Sequence, residues 1–343
     1  MGLLCQSLSY WRQGNGTIVK ILIILPNWLG DAVMATPAIE LLSKHYPSAK
    51  FTFLGSFASI EALKYHPKCE NAVIDNTKKE GNRVIATYKL AKKLGTFNFA
   101  VSFRNQIFSS LLLRFTGTVV CINRDAWHSR FLLSHTPKIL DNKHLALQYA
   151  ELAMIDTDNY KVDEIGPLKL FIEPETFEKP TLGINAGATY GSAKRWYPEK
   201  FAQVAANFSN KYDILIFGGP NEVEMAKEIE YNLKALHVDN YRNIAGKTTI
   251  QELCSNIGGC SLFITNDSGP MHVAAAYQVP SVAIFGPTKH KETCQWMNEK
   301  SKIVRHDMDC APCMKRECPL KHHECMTSIT AEEVIQAVNE LNI

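Results

Sequence analysis

Four short stretches of the chain carry side chains whose types and spacing could do chemistry. In the first, an apolar run ends at Leu25 and Pro26-Asn27-Trp28-Leu29-Gly30-Asp31 follows. A carboxylate just past a buried strand stands where α/β folds hold their ligands. Asp31 there either takes the proton of an attacking hydroxyl or caps the following helix. The second is the Gly/Ser-rich stretch 188–198, Ala-Thr-Tyr-Gly-Ser-Ala-Lys-Arg-Trp-Tyr-Pro. Its Lys194 either offsets charge on a diphosphate leaving group or is a solvated loop lysine. In the third, a helix opens directly after a strand at Asn266-Asp267-Ser268-Gly269-Pro270. Free N–H groups and the positive helix end suit a phosphate, with the amides of Ser268 and Gly269 as donors. Asp267 would repel a diphosphate, so it is expected to orient the loop or a sugar hydroxyl; the plainer alternative is that Asp267 and Ser268 only cap the helix. His272, one turn along, either donates to a phosphate oxygen or is a satisfied helix-face histidine. The fourth groups Cys310, Cys313, Cys318 and Cys325 with His322 and His323 between them. Such a set can hold Zn, but the gaps after the first pair depart from the paired knuckles of zinc ribbons, so thiol packing or loop structure is preferred.

These stretches need strands and helices to place them. Residues 19–25 are apolar but for Lys20, as in a strand buried on both faces. Strand-like runs near 51–54, 72–74, 99–103 and 118–121 alternate with helix-like runs at 32–46, 59–65, 83–94 and 107–115. Residues 125–143 are irregular and basic, and 146–154 read as a helix. A second alternation has strands at 182–185, 213–217, 243–244, 261–265 and 281–285, with helices at 198–210, 222–236, 250–257 and 271–277. A terminal helix over 330–342 opens on the capping box Thr-Ala-Glu-Glu. The pattern is that of two doubly wound α/β domains. Their bounds are placed at 18–175 and 176–343, with the crossover in 167–180, the Cys-rich segment 310–325 in the second domain, and 1–17 as a disordered leader. No G-x-G-x-x-G follows the first strand of either half, which counts against a nicotinamide oxidoreductase.

Composition narrows the class further. With 37 Lys and Arg against 34 Asp and Glu, the net charge of +3 implies no general polyanion or nucleic-acid binder. No apolar run approaches a membrane-spanning length. Residues 20–38 imitate a signal peptide, yet the apolar core is short and broken by Pro26-Asn27-Trp28, so a first strand is expected instead. Ten cysteines without an export signal point to reduced thiols in a cytosol.

Two motifs carry a family resemblance. T-N-D-S-G-P-M-H-V-A-A-A followed by P-S-V-A-I-F-G-P-T, and N-W-L-G-D-A-V-M-A-T-P near the start, resemble the signatures of the lipopolysaccharide heptosyltransferases, glycosyltransferase family 9. The resemblance implies the GT-B fold, two Rossmann-like domains facing each other across a cleft, and ADP-heptose as donor. It makes Asp31 the catalytic base and Lys194, before W-x-P, the phosphate-binding lysine. Thr189 joins it in the donor loop, Glu222 meets the ribose, and the 245–249 loop with Thr248 lines the adenine pocket. The donor set is thus Thr189, Lys194, Glu222, Thr248, Asp267, Ser268, Gly269 and His272. The Cys-rich segment resembles the tail of the family's second subgroup, which adds heptose to the first heptose of the inner core. Such an acceptor, lipid A–Kdo–heptose, carries carboxylates and often phosphates. Asn27, Arg104, Arg124 and Arg130, on the carboxyl edge of the first sheet, are therefore expected to contact it. The resemblance further implies inversion at the anomeric carbon, no metal or other cofactor, and a cytoplasmic enzyme peripheral to the inner membrane. Transfer to Kdo and sugar-nucleotide epimerisation are the alternatives within this fold; a Zn or redox module built on the cysteines is one outside it.

Overall fold

The computed structural model describes residues 18–154, 162–341 and 343. The leader expected at 1–17 lies outside them. The chain divides into two compact units between residues 171 and 172.

The first unit is a five-stranded parallel sheet in the order β3-β2-β1-β4-β5. Its strands are β1 (Val19–Ile24), β2 (Ala49–Gly55), β3 (Cys69–Ile74), β4 (Phe99–Ser102) and β5 (Val120–Ile122). β1 lies centrally, with Ile21 opposite both Phe51 of β2 and Phe99 of β4. That explains its apolar run over 21–24, since helices cover both faces; Lys20, near its start, is exposed. The single helix expected over 32–46 is two: α1 (Leu29–Met34) and α2 (Thr36–His45). Pro37 causes the break. It has no N–H for the Val33 carbonyl, and the Thr36 hydroxyl donates to that carbonyl instead, at 2.7 Å. Next come α3 (Phe57–Leu63), α4 (Arg83–Leu94) and α5 (Ile107–Thr116). The segment expected to be irregular after β5 contains a short helix, α6 (Trp127–Leu132), whose start is fixed by the Ser129 hydroxyl accepting from the Ala126 N–H at 2.8 Å. The last helix of this unit is α7 (Leu145–Ala153).

The second unit is a six-stranded parallel sheet, β11-β10-β9-β6-β7-β8. It comprises β6 (Thr181–Asn185), β7 (Asp213–Phe217), β8 (Tyr241–Asn243), β9 (Leu262–Asn266), β10 (Ser281–Ile284) and β11 (Ser301–Val304). β11 is an edge strand that the sequence reading lacks: Ser-Lys-Ile-Val is short, and every residue in it is only half-buried. The helices are α8 (Pro198–Phe208), α9 (Val223–Ala235), α10 (Ile250–Gly259), α11 (Gly269–Ala276), two single turns α12 (His290–Thr293) and α13 (Glu324–Thr327), and α14 (Ala331–Asn339). Trp196, Phe201, Ile184, Ile264 and Met326 are fully buried in one core between this sheet and its helices. Both units are thus doubly wound α/β sheets. In each, strand order reverses beside the first strand, between β1 and β4 and between β6 and β9. That reversal is where such sheets hold ligands. Among the described residues no helix is long and apolar enough to cross a membrane.

Candidate active site

In the second unit, loop 186–197 leaves β6 and loop 267–268 leaves its neighbour β9. Their charges meet. Lys194 Nζ lies 2.6 Å from Asp267 Oδ2 and donates to the Asp267 carbonyl at 3.2 Å, with the two side chains only 13% and 4% exposed. Lys194 is therefore not a solvated lysine. Asp267 also accepts from the Thr288 hydroxyl at 2.6 Å, so its carboxylate does not cap α11. Ser268 occupies the N-cap position, yet its side chain makes no cap hydrogen bond. Its hydroxyl instead meets Thr265 Oγ1 at 3.1 Å and Asn185 Nδ2 at 3.3 Å. The start of α11 thus lacks a side-chain cap beside a lysine, an arrangement that suits an anion.

Buried amides brace these two loops. Asn185 Nδ2 donates to the Gly187 carbonyl at 3.1 Å. Asn266 accepts from Trp196 N at 3.0 Å and donates to the Ala186 carbonyl. Neither asparagine figures among the residues expected from sequence; the available signal was a polar residue closing each of two otherwise apolar strands. Tyr190 stacks under Lys194, whose Nζ is 4.9 Å from the ring centroid, while Thr189 is exposed beside it.

The remaining donor-side candidates are spread along the same edge. Glu222 ends a 3-10 turn before α9 and accepts from Gly219 N at 2.7 Å. Its carboxylate also lies against Gly187, where an added Cβ would come within 2.1 Å of Glu222 Cδ and push the carboxylate aside. Thr248 is half-buried in the loop between β8 and α10. Gly269 is the first residue of α11, and His272 is 3% exposed within it, in the wall behind the turn.

In the first unit, Asp31 falls in the first turn of α1, whose N-cap is Trp28. The capping alternative for Asp31 thus fails. Asp31 is half-buried, and its charge acts on Tyr149 of α7. Burial first, and the Asp31 carboxylate second, push the Tyr149 phenol well above its usual range. Asn27 is half-buried just before α1, its carbonyl accepting from Ser56 Oγ at 2.7 Å.

The three arginines expected on this edge are not free loop cations. Arg104 is 6% exposed and pairs with Asp75 at 2.9 Å; its Nε donates to the Leu25 carbonyl. Arg124 reaches Gln148 Oε1 at 3.2 Å and also holds the Ile139 carbonyl and Asp141. Arg130, on α6, forks onto Asp125, with Nη2 2.7 Å from Oδ2, and is the most exposed of the three.

The cysteines lie behind the lysine loop, in a cavity that Ala193 and Pro287 also line. Cys310, Cys313, Cys318 and Cys325 line one small cavity with His322 and His323. Among the described residues, no group of three or more His, Cys, Asp or Glu is arranged to hold a metal ion. Both ring nitrogens of His323 are engaged elsewhere, with Tyr197 and the Ala193 carbonyl. Burial, then the other three thiols, push the Cys325 thiol up to about 11.

Comparison with known proteins places this geometry. A family model described as "Glycosyltransferase family 9 (heptosyltransferase)" matches residues 87–324. Lipooligosaccharide heptosyltransferase 2 of Campylobacter jejuni serotype O:2 is 40% identical over 327 residues, 94% of this chain and 98% of that protein. Lipopolysaccharide heptosyltransferase 2 of Escherichia coli K12 is 26% identical over 94% of this chain and 98% of its own length. In architecture, the solved structure of E. coli ADP-heptose LPS heptosyltransferase II superposes with a TM-score of 0.78 at 24% identity, covering 94% of this chain and 98% of that one. The chain therefore belongs to glycosyltransferase family 9, the heptosyltransferases, and is a glycosyltransferase.

Proposed function

We propose that the protein transfers L-glycero-D-manno-heptose from ADP-heptose to the first heptose of the lipopolysaccharide inner core, with inversion. The observation that carries this reading is the Lys194–Asp267 pair, set across the strand-order reversal at the start of α11. A nucleoside diphosphate there meets a cation, amide donors and a helix dipole together. In this reading the second unit binds the donor through Thr189, Lys194, Glu222, Thr248, Ser268, Gly269 and His272, while Asp267 keeps Lys194 in place. The first unit binds lipid A–Kdo–heptose, at Asn27 and at the exposed Arg130, while Arg104 and Arg124, expected beside them, hold the edge on which the acceptor rests.

The reaction is a single displacement. Asp31 takes the proton of the acceptor hydroxyl, whose oxygen forms a bond to the anomeric carbon. The bond from that carbon to the diphosphate oxygen breaks on the opposite face, and ADP departs with the electron pair. The transition state is oxocarbenium-like. Lys194 and the amides of Ser268 and Gly269 take up the charge that develops on ADP. This cation and these dipoles supply the role a divalent metal would otherwise fill, so the reading calls for no metal cofactor. It also places the enzyme at the cytoplasmic face of the inner membrane, where such an acceptor is built.

Mass spectrometry of the lipopolysaccharide core from a deletion strain tests the reading. Loss of everything beyond the first heptose is expected. A core lacking that heptose too would mean transfer to Kdo, and an intact core would remove the assignment.

A further inference from the structure

The Cys-rich segment is braced against both loops that set the Lys194–Asp267 pair. Ala193, the residue before Lys194, has both backbone polar groups taken by it. Its N–H donates to the Arg316 carbonyl at 3.0 Å, and its carbonyl accepts from His323 Nε2 at 2.9 Å. The Tyr190 hydroxyl donates to the Met314 carbonyl at 2.7 Å. Gly191 lies so near that an added Cβ would come within 2.2 Å of the Arg316 carbonyl oxygen. On the other side, Met314 N–H donates at 2.9 Å to the carbonyl of Pro287, the residue before Thr288, whose hydroxyl holds Asp267.

The His323 side chain grips the lysine loop on both sides of Lys194. The Ala193 carbonyl can only accept, so Nε2 carries the proton. In the neutral ring Nδ1 then accepts from the Tyr197 hydroxyl, at 2.9 Å. Ala193 and Tyr197 flank Lys194 in sequence. Met314, Lys321 and His323 all hold left-handed backbone, with φ of 55°, 61° and 55°. L residues adopt such φ only where surrounding contacts compel it, so the path of the segment is imposed by what it touches.

We infer that His323 is a positioning residue for donor binding, fixing the loop that presents Lys194 to the diphosphate. This rests on the reading of Lys194 as the diphosphate-binding cation. It also gives the Cys-rich segment a task separate from metal or redox chemistry: it is the splint on which the donor loop is set.

Two amide substitutions separate this role from a backbone role. The side chain of Gln reaches the place of Nε2 and can still donate to the Ala193 carbonyl, whereas that of Asn stops near Nδ1. Asn, however, tolerates left-handed backbone better. In His323→Gln, ADP affinity measured by calorimetry should stay within about twofold of wild type, and in His323→Asn it should fall about fivefold, the worth of one hydrogen bond. The donor KM should follow while the acceptor KM holds. Combining His323→Asn with Lys194→Ala should weaken ADP binding no further than Lys194→Ala alone, because the two act through one contact. A reversed order of Gln and Asn, or fully additive losses, would overturn the inference. Unchanged ADP binding in Lys194→Ala alone would instead remove the reading beneath it.

Discussion

At the carboxyl edge of the first sheet the arginines are committed to carboxylates within their own unit, Arg104 to Asp75, Arg124 to Asp141 and Arg130 to Asp125. At the second, a lysine and an aspartate from two different loops meet where the strand order reverses. The partners differ in what surrounds them. Arg104 sits behind the edge, tied also to a strand-end carbonyl, so its charge serves the scaffold. Lys194 lies beside a helix start that no side chain caps. A diphosphate arriving there offers Lys194 new acceptors, while Asp267 has already removed much of the side-chain freedom that binding would otherwise cost. Charge is spent on structure at one edge and held in readiness at the other.

The sharpest break of that comparison is a crossed pair of substitutions. Asp31→Ala should lower transfer by about 10²-fold or more, the scale of a lost general base, and leave ADP affinity within a few-fold. Lys194→Ala should weaken ADP binding by about 30-fold, the worth of a charge-assisted contact, and lower turnover too. Calorimetry with ADP beside steady-state turnover reads both. If Asp31→Ala turned over like wild type, the first edge would lose its chemistry. If Lys194→Ala bound ADP normally, the second would lose its anion site.

A second effect concerns the scaffold charge alone. Burial raises the Asp75 carboxyl, but the Thr77 hydrogen bonds and the Arg104 charge outweigh it and hold the group below its ordinary value. A carboxyl depressed in the folded state adds stability that is present above its unfolded value and lost as pH falls through the folded one. Asp75→Asn should therefore be less stable than wild type by about 2 kcal/mol at neutral pH, the cost of removing a charged partner from Arg104. The gap should hold down to about pH 4 and close below it, as wild-type Asp75 takes up its own proton. Urea midpoints at several pH values decide this, and a gap independent of pH would deny the pair its electrostatic role.

How much of this could be read from the chain depends on how far each feature reaches in sequence. The central strands were legible because burial on both faces leaves a mostly apolar run, as in residues 21–24 of β1 and 262–264 of β9. β11 was not, since an edge strand faces solvent and its four residues carry no such run. Asp31 and Lys194 stood out because each follows a strand, and position after a strand is local information. The Lys194–Asp267 pair spans 73 residues and exists because β9 lies beside β6, which is a property of strand order. The same limit applies to Arg104, which reads as a loop arginine until Asp75, 29 residues earlier, is brought beneath it. His323 read only as one member of a Cys-rich cluster whose spacing argued against Zn; the packed structure alone shows its ring nitrogens occupied by Tyr197 and Ala193.

The smallest expected effect separates the three arginines from one another. Arg104 and Arg124 are woven into the first unit, so replacing either disturbs the fold before it disturbs an acceptor. Arg130 is 59% exposed, and it pairs with Asp125, in the loop just before α6. An exposed fork of this kind contributes little to stability, and water or another anion replaces it readily. Arg130→Ala should therefore melt with wild type while raising the acceptor KM about threefold, with the donor KM unchanged. Screening sets the sign of the salt effect. Lowering ionic strength lengthens the reach of the lost charge, so the ratio of variant to wild-type KM should grow as salt is removed. Steady-state kinetics at two salt concentrations, with a core acceptor bearing carboxylates and phosphates, reads that ratio. A ratio that stays at one would leave Arg130 as Asp125's partner alone and move acceptor recognition to Asn27 and the surroundings of Asp31. A shift in donor KM would take Arg130 out of the acceptor site.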